Sequence, residues 1–187
     1  MDKKITVAFV NVMDGYSGGE IVLKRLIEGL DNGEFEKILY TRATPLAEYV
    51  DKKSCAIRVI KHQYQLRKRR GLPALFKAAK LFVVSLGYAI EMKRNGVEIV
   101  HSNSLTSSIY FAGWSKLLGM KFVAHNHLIR SGLVYKVLYK YIELCSDRII
   151  CVSEAVKRCW VDHGVLPAKI EVIYNGLPDD FFKYQFD

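Results

Sequence analysis

Residues 97–127, VEIVHSNSLTSSIYFAGWSKLLGMKFVAHNH, decide the fold. A short apolar run at 97–101 gives way to a helical pattern at 105–118, and a second β-rich run follows at 121–125. Short apolar runs bounded by turn residues read as strands covered on both faces. A helix between two such strands is the repeating unit of a parallel sheet. The unit continues upstream, with strands expected at 5–10, 37–41 and 56–60. The helices there are expected at 20–30, 45–52 and 73–94, the last opened by Pro73. Downstream come a helix at 133–145, a strand at 148–152, a helix at 154–163 and a strand at 169–174. Ser153 is placed to cap the last helix and Gly164 to close it. The pattern predicts an α/β fold: an open, doubly wound, Rossmann-like parallel sheet flanked by helices. A (β/α)₈ barrel normally needs about 250 residues, more than this chain offers.

Length and composition bound the rest. A chain of 187 residues suits one domain with a short extension. At this size about 70% of the unfolded surface is buried on folding, so a core forms without metals or disulfides. Half the residues are hydrophobic and a quarter charged, which excludes dominant disorder. With 13 glycines, 4 prolines and no internal period, collagen-like and repeat classes are excluded as well. Lys and Arg number 28 against 19 Asp and Glu, a net charge of +9. That excess favours a nucleic acid, an anionic membrane or a phosphorylated substrate, with plain solubility as the alternative. The four cysteines, at 55, 145, 151 and 159, show neither C-x-x-C nor zinc spacing. Cys145, Cys151 and Cys159 read as buried thiols. The opening Met-Asp-Lys-Lys leads straight into a strand and does not read as a signal peptide. A reducing, cytoplasmic setting is therefore expected. The longest apolar run, 81–90, is too short to span a bilayer. Residues 61–70 break the rhythm with Lys61, Arg67, Lys68, Arg69 and Arg70. On the helix that follows, Lys77, Lys80, Glu91 and Arg94 recur near helical spacing, predicting one polar stripe opposite a wide apolar face.

Ligands of open α/β sheets bind outside the carboxyl ends of the strands, so the residues after each strand are the candidates. After the first come Asp14-Gly15-Tyr16-Ser17-Gly18-Gly19-Glu20, a glycine loop opening a helix whose N–H groups suit a phosphate. It matches neither the dinucleotide fingerprint nor the P-loop, and an ordinary tight turn would look the same. After the fourth come His101-Ser102-Asn103-Ser104, and after the fifth His125-Asn126-His127. Either of these strand ends presents a histidine to a sugar hydroxyl or a phosphate. After the sixth, Ser153 is explained by capping, and Glu154 by its favourable place at a helix N-terminus. No nucleophile elbow and no spaced set of metal ligands is present.

These landmarks resemble the N-terminal half of GT-B-fold retaining glycosyltransferases, the family 4-like or group 1 type. Gly18-Gly19-Glu20 is similar to the family's glycine loop but lacks the residue before the glutamate. Residues 97–103 are similar to its His-ended strand, and residues 122–127 to the next one. The most specific pair is DRIICVSE at 147–154 with KIEVIYNG at 169–176. Glu20 and Glu28 repeat the spacing of the family's paired glutamates, but on the first helix of the wrong half.

The resemblance implies a Rossmann-like domain over residues 1–176, an interdomain linker beginning at 177–187, and a C-terminal nucleotide-sugar domain that lies outside this sequence. It implies sugar transfer from a nucleotide-sugar to a glycan or lipid-linked acceptor in cell-surface polysaccharide synthesis, with no metal or other cofactor. This half would hold mainly the acceptor and would be inactive alone. By motif match, His127 is the expected catalytic contact, with His125 as the fallback. Gly18, Gly19, His101, Asn103, His125, Glu154 and Asn175 are the expected donor or acceptor contacts. Arg67, Lys68, Arg69, Arg70, Lys77 and Lys80 are expected to hold the protein on an anionic membrane, peripherally on the inner face of the plasma membrane. A solvated loop beside a core helix is the plain alternative. Two further readings stay open. One is a basic nucleic-acid-binding module, disfavoured because the basic run is short and not interleaved with aromatics. The other is an NAD-binding domain, disfavoured by the missing fingerprint.

Overall fold

The computed structural model describes residues 3–64 and 71–176. Seven strands form one sheet: β1 Ile5–Asn11, β2 Phe35–Thr41, β3 Ala56–Val59, β4 Ile99–Ser102, β5 Lys121–Asn126, β6 Arg148–Cys151 and β7 Ile170–Val172. The order is β3-β2-β1-β4-β5-β6-β7, and every neighbouring pair is parallel. The chain first moves outward from β1 to β3, then returns to β4 and moves the other way. Right-handed crossovers therefore place α1 (Gly18–Gly29) and α2 (Pro45–Tyr49) on one side of the sheet. They place α3 (Leu72–Arg94), α4 (Leu105–Leu117), α5 (Leu133–Cys145) and α6 (Glu154–Asp162) on the other.

Strand alternation feeds two cores. Val7 and Phe9 of β1 join Leu23, Ile27, Leu39 and Leu46 under α1 and α2. Ala8 and Val10 join Phe111, Phe122, Ile142 and Trp160 under α3–α6. Each large side chain so buried contributes about 1.5–3 kcal/mol. Trp160 and Tyr139 stack with centroids 4.1 Å apart, fixing α6 against α5.

The element boundaries have local causes. The glycines expected in a loop, Gly18 and Gly19, lie in the first turn of α1. The helix starts early because Ser17 donates its backbone N–H (2.9 Å) and its hydroxyl (2.7 Å) to Glu20 Oε2. Ser104 and Ser153 cap α4 and α6, accepting from Ser107 N at 3.1 Å and Val156 N at 3.2 Å. The last strand runs only over Ile170–Val172; it starts one residue later than expected because residues Pro167–Lys169 form a 3₁₀ turn. All four cysteines are free; Cys145 is half-buried rather than buried. Burial pushes the Cys151 thiol to about 12 and the Cys55 thiol to about 11, which leaves both unreactive.

Helix α3 corrects two expectations. It is 23 residues long, with a mean hydropathy of 1.4 over its most apolar window, so by length and composition it is able to cross a membrane. The ten-residue run at 81–90 understated it because Leu72, Leu75 and Phe76 extend the apolar stretch beyond Lys77 and Lys80. Its C-terminal half is nonetheless a core helix: Leu81, Ala89 and Met92 are buried, and Trp114 Nε1 of α4 donates to Phe82 O at 2.7 Å. Nor is there a single apolar face. Leu72, Leu75, Phe76 and Val83 are exposed alongside Lys80.

Candidate functional site

Strands β1 and β4 are neighbours that lead their helices to opposite sides of the sheet. That divergence opens a crevice at their carboxyl ends. Hydrogen bonds knit the point together. Asn103 N donates to Val10 O (3.0 Å), and Val12 N to Ser107 Oγ (3.2 Å). The first turn of α1 sits on one lip, and the ends of β4 and β5 on the other.

Asn103 joins the lips. Its Nδ2 donates to Gly19 O at 3.1 Å, and His127 Nε2 lies 3.1 Å from its Oδ1. Because Gly19 O can only accept, the amide must turn its oxygen to His127, and Nε2 must carry the proton. Nδ1 of His127 is then a bare lone pair, buried without a partner among the described residues. The imidazole lies flat beside Gly19, where an added Cβ would stand 3.5 Å from Cδ2. Beside Gly18 the space is open, with nothing within 4 Å of an added Cβ.

Three imidazoles run inward from this lip. His125 and His127 have centroids 4.3 Å apart, His101 and His125 5.3 Å, and Phe9 closes the row 5.4 Å from His101. Both ring nitrogens of His101 and of His125 are buried and have no partner among the described residues. Burial, then neighbouring imidazoles, lower His101 to about 4 and His125 to about 3. Burial also lowers His127, against the pull of Glu20. The row is neutral at pH 7. Glu20 is itself buried, holding Ser17 and, through Oε1, Asn11 Nδ2 at 3.3 Å. It fills the N-terminus of α1 with a carboxylate, so a second anion there meets a charge already in place.

His101 and His125 also form the floor of a cavity of about 330 Å³ between α1 and the sheet, roofed by Leu26 and Arg25 and closed by Asn175 and Gly176. Arg25 Nη1 donates to Gly176 O at 3.1 Å. Asn175 thus faces the histidine row across this cavity, whereas Glu154 stands exposed at the start of α6, one strand further along the rim. Asp14 closes the other flank, paired with Arg42 and accepting from Gln63 Nε2 at 3.2 Å. Among the described residues no three His, Cys, Asp or Glu side chains are placed to hold a metal ion. Lys77 and Lys80 lie on α3, away from this row, and Arg67, Lys68, Arg69 and Arg70 fall outside the described residues. Sequence reasoning named Asn103 as a ligand contact and missed its bridging geometry. It also passed over Glu20 as a site residue, although the Ser17-x-x-Glu20 spacing is a legible capping signal.

Known proteins fit this arrangement. HepE of Anabaena, solved with UDP and glucose, superposes with a TM-score of 0.66 at 14% identity, covering 92% of this chain and 45% of that one. A glycosyltransferase of Rickettsia africae superposes with a TM-score of 0.67 at 18% identity, over 97% and 45%. Sucrose-phosphate synthase of Thermosynechococcus elongatus gives 0.63 at 15%, over 91% and 48%. The chain spans under half the length of each, and the likeness is one of fold. No curated protein sequence matches. The sequence profile of Glycosyltransferase Family 4 matches residues 16–181. That match takes in the glycine turn, the histidine row and the rim as far as Asn175: the chain belongs to glycosyltransferase family 4 and has the fold of the N-terminal half of a GT-B glycosyltransferase.

Proposed function

We propose that this chain is the acceptor-side half of a retaining glycosyltransferase. It would work on a glycan or lipid-linked acceptor, with a nucleotide-sugar donor held largely by a partner domain, in the synthesis of cell-surface polysaccharide. The observation that carries the reading is the Gly19–Asn103–His127 lock at the switch point of the sheet. The chemistry of the lip favours hydroxyls over phosphates. The imidazoles are neutral, Glu20 occupies the helix N-terminus, and the nearby Arg42 is bound to Asp14. A sugar hydroxyl can donate to His127 Nδ1, the lone pair left without a donor. In the transfer, the bond from the anomeric carbon to the diphosphate breaks, a bond to the acceptor oxygen forms, and the acceptor hydroxyl passes its proton to an oxygen of the departing diphosphate. His127 contacts the reacting sugar; Gly18, Gly19, His101, His125, Glu154 and Asn175 border the donor and acceptor, and Asn103 holds His127. No metal or other cofactor takes part in this scheme, and no transfer is expected from the 187-residue chain by itself.

Saturation-transfer NMR with methyl glycosides and UDP-glucose, beside NAD and a single-stranded oligonucleotide, tests this. Saturable binding of a glycoside is expected, weakened about tenfold when the hydrogen bond to His127 is removed in His127→Ala. Saturable binding of NAD or the oligonucleotide, with none of the sugars, would reject it.

A further inference from the structure

The cavity between α1 and the sheet has a polar floor, apolar walls and, among the described residues, one charged side chain at its mouth. The floor is His101 and His125, 6% and 5% exposed. A neutral imidazole carries one N–H and one lone pair. The two rings therefore offer two donors and two acceptors, and none of the four has a partner among the described residues. A sugar hydroxyl both donates and accepts, so neighbouring hydroxyls of one ring answer these needs. Val22, Leu26, Ile150 and Ile173 supply the walls, which suit the C–H face of a pyranose. At about 330 Å³ the space falls at the lower end of small-molecule sites, which run from about 300 to 1,000 Å³.

Arg25 stands at the mouth, exposed on α1. Its Nη1 donates to Gly176 O at 3.1 Å, and among the described residues no carboxylate pairs with it. Its neighbour Lys24, by contrast, is held by Glu28 at 2.6 Å. A guanidinium has five N–H donors in a planar fork, so the bond to Gly176 leaves donors for an anion of matching geometry. The described lining contains no Asp or Glu to compete for them. One cation balances one negative charge. A dianionic phosphate would leave its second charge unpaired beside Leu26 and Ile173, which is costly.

We propose that the acceptor is an acidic sugar, a uronic acid unit whose hydroxyls meet His101 and His125 and whose carboxylate is held by Arg25. This inference rests on the reading of the crevice as a sugar site and names the class of sugar it takes. Arg25 is then the residue that selects for charge, while the histidines select for hydroxyls.

NMR titration of the ¹⁵N-labelled 187-residue chain with methyl glucoside, methyl glucuronide and methyl glucoside 6-phosphate tests the assignment. The glucuronide should bind about fivefold tighter than the glucoside, a modest factor because Arg25 is exposed. That preference should shrink as salt rises. It should vanish in Arg25→Gln and persist in Lys24→Gln. The preference is a ratio within each variant, so a general loosening around Gly176 cancels, and the salt series on the parent chain needs no variant. Equal binding of glucuronide and glucoside, a preference that survives in Arg25→Gln, or tightest binding by the phosphate would overturn the proposal and leave the sugar site standing. Binding of no glycoside at all would overturn both.

Discussion

The two ends of the sheet handle their polar groups in opposite ways. At the amino end, a cavity of about 480 Å³ is bordered by Lys116, Lys121 and Lys169, yet each ammonium has a partner. Lys116 donates to Leu144 O, Lys169 to Glu143 O (2.7 Å) and Ser146 O (3.1 Å), and Lys121 pairs with Asp147 at 2.9 Å. Lys116 and Lys169 cap the carbonyl end of α5, and Lys121 is held by the Asp147 carboxylate. At the carboxyl end, a smaller cavity is floored by His101 and His125, whose four ring nitrogens have no hydrogen-bond partner among the described residues. Buried polar atoms without partners are costly. The ammonium groups of the larger cavity therefore have their hydrogen-bonding needs met, whereas the smaller cavity leaves buried imidazole nitrogens unpaired among the described residues, which is why the proposed sugar site is assigned to it.

The contrast breaks most visibly under acid. His101 and His125 are held neutral, at about 4 and about 3, while an unfolded histidine titrates near 6.5. Their folded values are depressed, so the unfolded chain binds more protons below pH 6.5. Their contribution is complete above that pH and is lost as pH falls toward 4. The loss is about 3 kcal/mol for each histidine. Urea denaturation across pH 4–7 should show a steep fall that His101→Asn/His125→Asn flattens. Next in size is Asn103→Ala, which orphans Gly19 O and frees His127; it should cost about 1–3 kcal/mol and weaken glycoside binding by no more than the tenfold expected of His127→Ala. Lys169→Met at the other end removes two bonds to terminal carbonyls. It should cost about 1–2 kcal/mol and leave glycoside binding untouched, since Lys169 lies at the opposite end of the sheet from the proposed sugar site.

Much of this was legible in the sequence because its causes are local. Alternation and capping located the strands and helices, and Ser104 and Ser153 mark their helix starts from residue type alone. The parallel order made the glycine turn and the histidine strand ends meet, since β1, β4 and β5 are neighbours. What was not legible depends on which face meets what. The outward stripe of α3 is invisible to periodicity, because Leu81 and Val83 are equally apolar while only Leu81 reaches α4 and the core. The role of Asn103 is set by a backbone carbonyl 84 positions away in sequence, which no spacing rule encodes.

The most direct measurement is the imidazole ¹H–¹⁵N correlation spectrum of His127 at pH 7, recorded as a methyl glycoside is added. The Asn103 lock requires the Nε2–H tautomer, with Nδ1 shifting as a sugar hydroxyl donates to it. A proton found on Nδ1, or an Nδ1 signal that stays fixed at saturating glycoside, would contradict the assignment of this rim to a sugar.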